Sequence, residues 1–305
     1  MGDGVVHPEA LDPAGPASSR RGAGTAALLV VAIALSVQTG SAVAVKVIDS
    51  VGIVEALWLR TAVAALILAA LRPRSLRLPP SGQRLPVALL TLALLGMNTS
   101  FYAAISHAPV GLVVSIEFLG PLAVAVIGTR RPLDFMWVAL AGAGVILLGG
   151  PTSSVSGLGL GFSLLAGFFW AAYLLLAKRA LRDMDPLPVT TLMLAGSAAL
   201  LTPVLVVTGP QVAGHAAAIG LGVLIAVLSS AFPYFVEFVA LRLVPAATYG
   251  VLLSIEPAAG ALAGFLILSQ RLTALEIVAM VAVMVAAAGA SWTSGAGREL
   301  EVPIA

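Results

Sequence analysis

The sequence predicts an all-α polytopic membrane protein, with ten transmembrane helices as two inverted five-helix repeats. Three observations carry this. First, the 305 residues are 60% hydrophobic and 10% charged, with mean hydropathy +1.07, whereas soluble domains run at about 45–50% apolar and about 25% charged. Second, the apolar residues gather into ten runs of about 17–25 residues, each long enough to cross roughly 30 Å of hydrocarbon. Third, an acid recurs inside an apolar run in each half, in Ser115-Ile116-Glu117-Phe118-Leu119-Gly120-Pro121 and in Ser254-Ile255-Glu256-Pro257.

Taken in order, residues 1–24 are rich in Pro, Gly, Ala and Ser and end near Arg20-Arg21, which predicts a disordered cytoplasmic tail. A cleaved signal peptide is the rival reading. Its apolar core would be about 7–15 residues, but the run 25–45 is longer and contains Gln38, Thr39 and Ser41. The ten runs are 25–45, 52–71, 85–105, 109–128, 134–150, 157–177, 188–207, 216–240, 247–268 and 273–293. Pro79-Pro80, Pro151, Pro186, Pro188 and Pro210 punctuate the loops between them. The first repeat is expected over 25–150, the second over 157–293, and a cytoplasmic tail over 294–305.

Basic residues orient the bundle. With the N-terminus in the cytoplasm and each run reversing the side, 13 of the 16 Lys and Arg fall inside. Two, Lys46 and Arg271, fall outside, and one, Arg60, is left within a helix. That bias obeys the positive-inside rule and places both termini in the cytoplasm. Five spans per half is an odd number, so the second copy must sit upside down. The copies match in part: Ile105-Ser106-His107-Ala108-Pro109 precedes the first acidic motif and Leu241-Arg242-Leu243-Val244-Pro245 the second, with a proline-to-glutamate spacing of 8 against 11. Inverted repeats of this kind mark secondary transporters, with the substrate at midplane between the copies.

Several chemistries are excluded. The absence of cysteine removes disulfides and thiolate metal sites. His7, His107 and His215 are scattered, so no metal cluster is expected, and no phosphate loop or other cofactor motif appears. Nucleic-acid binding has no support, because no basic stripe carries interleaved aromatics. A membrane-embedded enzyme would need a nucleophile–base or metal arrangement within the spans, and none is visible.

The candidate functional residues are polar groups in apolar runs. An ionised side chain at mid-depth costs roughly 2.5–3.5 kcal/mol on insertion scales, so Glu117 and Glu256 must face a partner or a wet cavity. Pro121 removes the donor that the Glu117 carbonyl would use, and Pro257 does the same to Leu253. Each motif helix is thereby loosened beside its acid. Arg60, about 12 Å into the second run at 1.5 Å per residue, is the cation expected to pair with an acid or with a substrate carboxylate; snorkelling to the interface is the bland alternative. Lys46 and Glu55 read as interfacial. Polar stripes at helical spacing add Asn98 with Tyr102, then Ser230, Tyr234 and Glu237, and Tyr249 with Glu256. For such residues interhelical hydrogen bonding competes with ligand binding. Glu237 has Arg242 as an alternative partner. Gly157 with Gly161, Gly260 with Gly264, and Ala141-Gly142-Ala143-Gly144 permit close helix approach, within one chain or in a homodimer.

Ala104-Ile105-x-x-Ala108-Pro109-Val110-Gly111, the Glu117 motif, Ser36-Val37-Gln38-Thr39-Gly40, Lys46, Leu59-Arg60 and Ser254-Ile255-Glu256-Pro257-Ala258 together resemble the EamA-type branch of the drug/metabolite transporter superfamily. The likeness is nearest the threonine/homoserine exporters of Rht type and covers about residues 25–293. The resemblance implies a bacterial inner-membrane exporter of small amino acids with a central cavity, driven by proton antiport, with Glu117 or Glu256 as the proton carrier. Its partners would be the small-molecule substrate, protons and the lipid bilayer. A broader drug or metabolite exporter is the alternative, and the 6% aromatic content leans against it. One departure is Gln270, where the superfamily often carries glutamate.

Overall fold

The computed structural model describes residues 16–126, 132–150, 153–181, 183–209, 216–233, 236 and 251–299. Among them every regular element is helical. In hydrocarbon every backbone group must be satisfied within the chain, and a helix does this segment by segment.

Helix α1 (Pro16–Val51) is followed by α2 (Ile53–Leu71), a 3-10 turn (Pro73–Leu76) and α3 (Ser81–Ile105). The first acidic run is split into α4 (Val110–Glu117) and α5 (Leu119–Val126), and α6 (Pro132–Leu148) follows. Then come α7 (Gly157–Ala180), α8 (Pro186–Thr208) and α9 (Ala216–Ala226), which continues into a π-helical turn (Val227–Ala231). Helix α10 (Glu256–Leu268) and α11 (Ala274–Glu299) complete the described chain. Seven helices are long and apolar enough to cross a membrane, and Val110–Val124, Phe135–Leu148 and Ala216–Ala231 are shorter apolar helices, which together make the ten expected runs.

The ends differ from expectation. Helix α1 already begins at Pro16, so residues 16–24, expected in a disordered tail, are helical. Proline is well suited to a helix start, and the Ala- and Arg-bearing stretch after it contains no breaker but glycine. Helix α11 likewise runs beyond 293 to Glu299.

The packing has an internal correspondence. Counting α4 with α5, and α9 with the π turn, as single runs, the third run packs on the sixth as the eighth packs on the first. The fourth lies on the sixth as the ninth lies on the first, and the third on the seventh as the eighth on the second. The second pairs with the seventh, the fourth with the ninth, and the fifth with the tenth. Exchanging each run for the one five further on carries each of these contacts into another of the set. Helix α11 adds contacts with α4 and α5 outside this correspondence.

The two largest of four apolar clusters among the described residues fill most of the bundle. One gathers Val47, Leu57, Tyr102, Leu112, Ile116, Phe118 and Ile225. The other, around Leu68, Leu90, Leu94, Met193 and Leu194, lies towards the end where Arg72 pairs with Asp185 at 3.2 Å and Gln83 donates to Asp183 at 2.6 Å. At the opposite end Glu276, in the first turn of α11, fastens two connections. Its carboxylate accepts from the Ser154 amide and hydroxyl, and from the Thr273 amide (2.7 Å) and hydroxyl (3.0 Å).

Candidate functional site

Both acidic motifs sit at helix breaks. At the first, the helix is interrupted at Phe118, between α4 and α5, although Phe118 keeps a right-handed helical backbone (φ -61°, ψ -14°) and its amide bonds the Val114 carbonyl at 3.1 Å. Pro121 has no N–H for the Glu117 carbonyl, and that carbonyl lies instead against α7: a Cβ on Gly167 would stand 2.8 Å from it. At the second, Ser254 and Ile255 form a tight turn with i→i+3 bonds to Val251 and Leu252 at 3.3 and 3.4 Å. Glu256 then opens α10, with Pro257 in its first turn. Proline is tolerated there because that N–H has no intrahelical partner.

The broken helices cross. A Cβ on Gly111 would fall 2.6 Å from the Ala261 amide nitrogen, and one on Gly260 would fall 3.1 Å from the Gly111 Cα. Glu117 lies six residues after Gly111, about 9 Å, and Glu256 four before Gly260, about 6 Å. The contacts run in opposite order along the two helices, Gly111 against Gly260 and Ala261, and Val110 against the Gln270 side chain that lies over Gly264, so α4 and α10 are antiparallel through the crossing with both acids on the same side of it.

Arg60, on α2, is held by the π turn. Its Nε donates to Ser230 Oγ and its Nη2 to the Ser229 carbonyl, both at 2.9 Å. Its guanidinium carbon stands 5.7 Å from the centre of the Tyr102 ring. A π turn shifts the backbone register from i→i+4 to i→i+5, here from the Phe232 amide to the Val227 carbonyl, and so leaves carbonyls available for other donors. The Leu228 carbonyl is taken by Ser36 Oγ at 2.7 Å. The Ser229 hydroxyl reaches the Val37 carbonyl at 3.4 Å, which ties the turn to α1 beside Gln38.

Gln38, Arg60, Asn98, Tyr102, Glu117 and Glu256 are all buried, none with more than 8% of its surface exposed. Arg60 does not snorkel. It is the buried cation among the described residues, but it forms no ion pair within 4 Å of either acid; Arg72–Asp185 is the ion pair among the described residues. Serine and backbone oxygens hold the guanidinium instead of a carboxylate. Asn98 donates its amide to the Leu94 carbonyl at 3.0 Å, one turn along α3 from Tyr102. Lys46 is exposed, as an interfacial lysine should be, whereas Glu55 is buried in the first turn of α2. The helix N-terminus there favours an acid. His107 Nδ1 lies 2.8 Å from the Ala103 carbonyl at the end of α3. Tyr234, Tyr249, Glu237, Arg242 and His215 lie outside the described residues.

Sequence reasoning missed two polar anchors. Thr273-x-x-Glu276 is a capping box, and that spacing was a visible signal for Glu276. Gln270 accepts from the Val110 amide at 3.1 Å and so caps α4 across the crossing. No local pattern announces a cap 160 residues away. Among the described residues there is no group of three or more His, Cys, Asp or Glu that could hold a metal. Gly260 and Gly264 pack within the chain, against Gly111 and Gln270, while Gly157 and Gly161 have nothing within 4 Å of their Cβ positions.

Ten apolar helices, two of them broken beside buried acids, define a multi-pass α-helical membrane protein of the secondary-transporter type. The EamA-like transporter family model matches residues 157–292. The threonine/homoserine exporter RhtA of Salmonella typhimurium (strain SL1344) is 38% identical over 283 residues, covering 91% of this chain and 95% of that protein. The Escherichia coli (strain K12) RhtA is 38% identical over 270 residues, covering 87% and 90%. A solved crystal structure superposes with a TM-score of 0.62 at 17% identity, over 91% of this chain and 98% of its own, and supports the fold. The chain belongs to the EamA-like transporters of the drug/metabolite transporter superfamily, in the group of the threonine/homoserine exporters.

Proposed function

We propose that this transporter exports threonine, homoserine or closely similar small amino acids across the bacterial inner membrane in exchange for protons, with both termini in the cytoplasm. The substrate class rests on the relatives' names and 38% identity. The single observation that carries the mechanism is geometric: two buried acids, Glu117 and Glu256, stand at helix breaks on α4 and α10, which cross at Gly111 and Gly260.

Each side chain has a role in this reading. The Arg60 guanidinium offers five N–H donors; two are committed to Ser229 and Ser230, and three remain to hold a substrate carboxylate. Tyr102, whose ring flanks the guanidinium, is fully buried and lines the same place. A substrate ammonium and a proton neutralise the same carboxylate charge on Glu117 or Glu256. They therefore compete, and each stabilises a different facing state. The breaks at Phe118 and at Ser254-Ile255 are the places where the two antiparallel helices can hinge. Two five-helix repeats, 25–150 and 157–293, would rock about this crossing.

The test is proton flux in proteoliposomes, followed with a pH-sensitive dye and challenged with amino acids and cationic drugs. Flux evoked by threonine or homoserine, and lost in Glu117→Gln or Glu256→Gln, is the expected result. Flux evoked by drugs alone would replace this reading with a multidrug exporter. Normal coupling in both glutamine variants would remove the acids from the mechanism.

A further inference from the structure

Gln38 is 2% exposed, and its Oε1 has no hydrogen-bond partner among the described residues. Buried amide oxygens are nearly always paired, so one that is not needs a reason. Its neighbours place it. On one side, Ser229 joins the backbone of Val37, the residue before Gln38, to Arg60: its hydroxyl donates to the Val37 carbonyl and its own carbonyl accepts from Arg60. On the other side, a Cβ on Gly260 would lie 3.4 Å from Oε1, and Gly260 is about one turn along α10 from Glu256. The amide oxygen therefore sits between the Arg60 anchor and the second acid, at the point where α1, α4 and α10 meet.

Resting on the substrate reading above, we propose that Gln38 is a specificity-determining residue whose Oε1 accepts a hydrogen bond from the side-chain hydroxyl of the transported amino acid. Charge sorts the other two groups. The substrate carboxylate goes to the free donors of Arg60, and the ammonium goes to a carboxylate. A neutral acceptor, outcompeted for the cation, is left for a neutral donor. A site built to hold a hydroxyl rejects the analogue that lacks it, because the acceptor then stays buried and unpaired.

The experiment compares uptake of threonine with valine, and of homoserine with norvaline, in proteoliposomes holding wild type, Gln38→Leu or Gln38→Met. In each pair a methyl replaces the hydroxyl. Wild type is expected to favour the hydroxylated member. In Gln38→Leu that preference, as a ratio of kcat/KM, falls about tenfold, the equivalent of one good hydrogen bond. Gln38→Met gives the same reading if the leucine variant does not fold. A preference unchanged in the variants, including an equal loss on both members of a pair, overturns the assignment. So does wild type that carries valine as well as threonine. Wild type that moves neither threonine nor homoserine overturns the substrate reading itself and the assignment with it.

Discussion

Gly111 and Gly260 touch across the crossing of α4 and α10, so closely that a Cβ on Gly260 would lie 3.1 Å from the Gly111 Cα. A Cβ on Gly111 would meet backbone, 2.6 Å from the Ala261 nitrogen and 2.7 Å from its Cα. Backbone atoms cannot swing aside as a flexible side chain does. Gly111→Ala is expected to destabilise the protein by about 1–3 kcal/mol, the usual cost of overpacking, and to reduce transport by moving the two acids apart. Gly142→Ala is the control. Nothing lies within 4 Å of its Cβ position, and alanine favours a helix over glycine by about 1 kcal/mol. Unfolding in detergent, followed by fluorescence, separates the two. Equal stability of both variants would mean that the crossing tolerates separation.

Arg60 is fixed by geometry as well as by charge. Lysine keeps the charge but not the planar fork that reaches Ser230 Oγ and the Ser229 carbonyl together. Arg60→Lys is therefore expected to lose transport at least about tenfold, as the loss of one charge-assisted hydrogen bond of about 1.5–3 kcal/mol implies. Ser230→Ala removes one of the two restraints and leaves the other, so its loss should be smaller. Initial rates of substrate efflux from loaded vesicles decide this. Full activity in Arg60→Lys would show that a positive charge alone suffices.

Glu276 tests a structural role at the far end of the bundle. Its carboxylate gathers donors from Ser153, Ser154 and Thr273, and so ties the connection before α7 to the start of α11. Glutamine keeps the shape but replaces one acceptor oxygen with a donor that faces other donors. Glu276→Gln is expected to lower unfolding stability by about 1–3 kcal/mol, and Glu276→Ala by more. Transport per folded molecule, measured well below the unfolding temperature, should be retained in both. Selective loss of transport with stability intact would move Glu276 into the transport mechanism.

These residues also show what was legible in advance. The ten helices were readable because the hydrocarbon imposes length and composition on each run independently, and Glu117 and Glu256 stood out because a charge in such a run needs an explanation. The interruptions at Phe118 and at Ser254-Ile255 lie within one turn before Pro121 and Pro257, where proline withholds a donor from the helix. The partner of Arg60 was not legible. A cation in a helix suggests an anion, and the Ser229 carbonyl became its acceptor through a π turn that Val227-Leu228-Ser229-Ser230-Ala231 does not announce. Nor does an alternating or helical pattern show that Gln38 meets Gly260, since that contact joins residues more than two hundred positions apart through the crossing of three helices.

Gln270 supplies the last prediction, at a position where the resemblance to the superfamily leads one to expect glutamate. The Gln270 side chain folds back over Gly264 and accepts from the Val110 amide at 3.1 Å. Ser269, in the left-handed conformation at φ 56°, makes the turn that brings it there. Val110 opens α4, where the amides have no intrahelical acceptor, so the bond is a helix cap contributed from the connection that follows α10. Gln270→Ala should cost about 1 kcal/mol, as the loss of an N-cap does. Gln270→Glu keeps an acceptor in the same place and adds a negative charge at a helix N-terminus, which is favourable by about 0.3–1 kcal/mol. The glutamate variant should therefore be at least as stable as wild type while the alanine variant is weaker, an order that chemical unfolding can establish. If glutamate were as damaging as alanine, the cap would not be what positions Gln270. If the order holds, either residue latches the end of α10 to the start of α4 through the same acceptor oxygen, and an acid at this position is not needed for the latch.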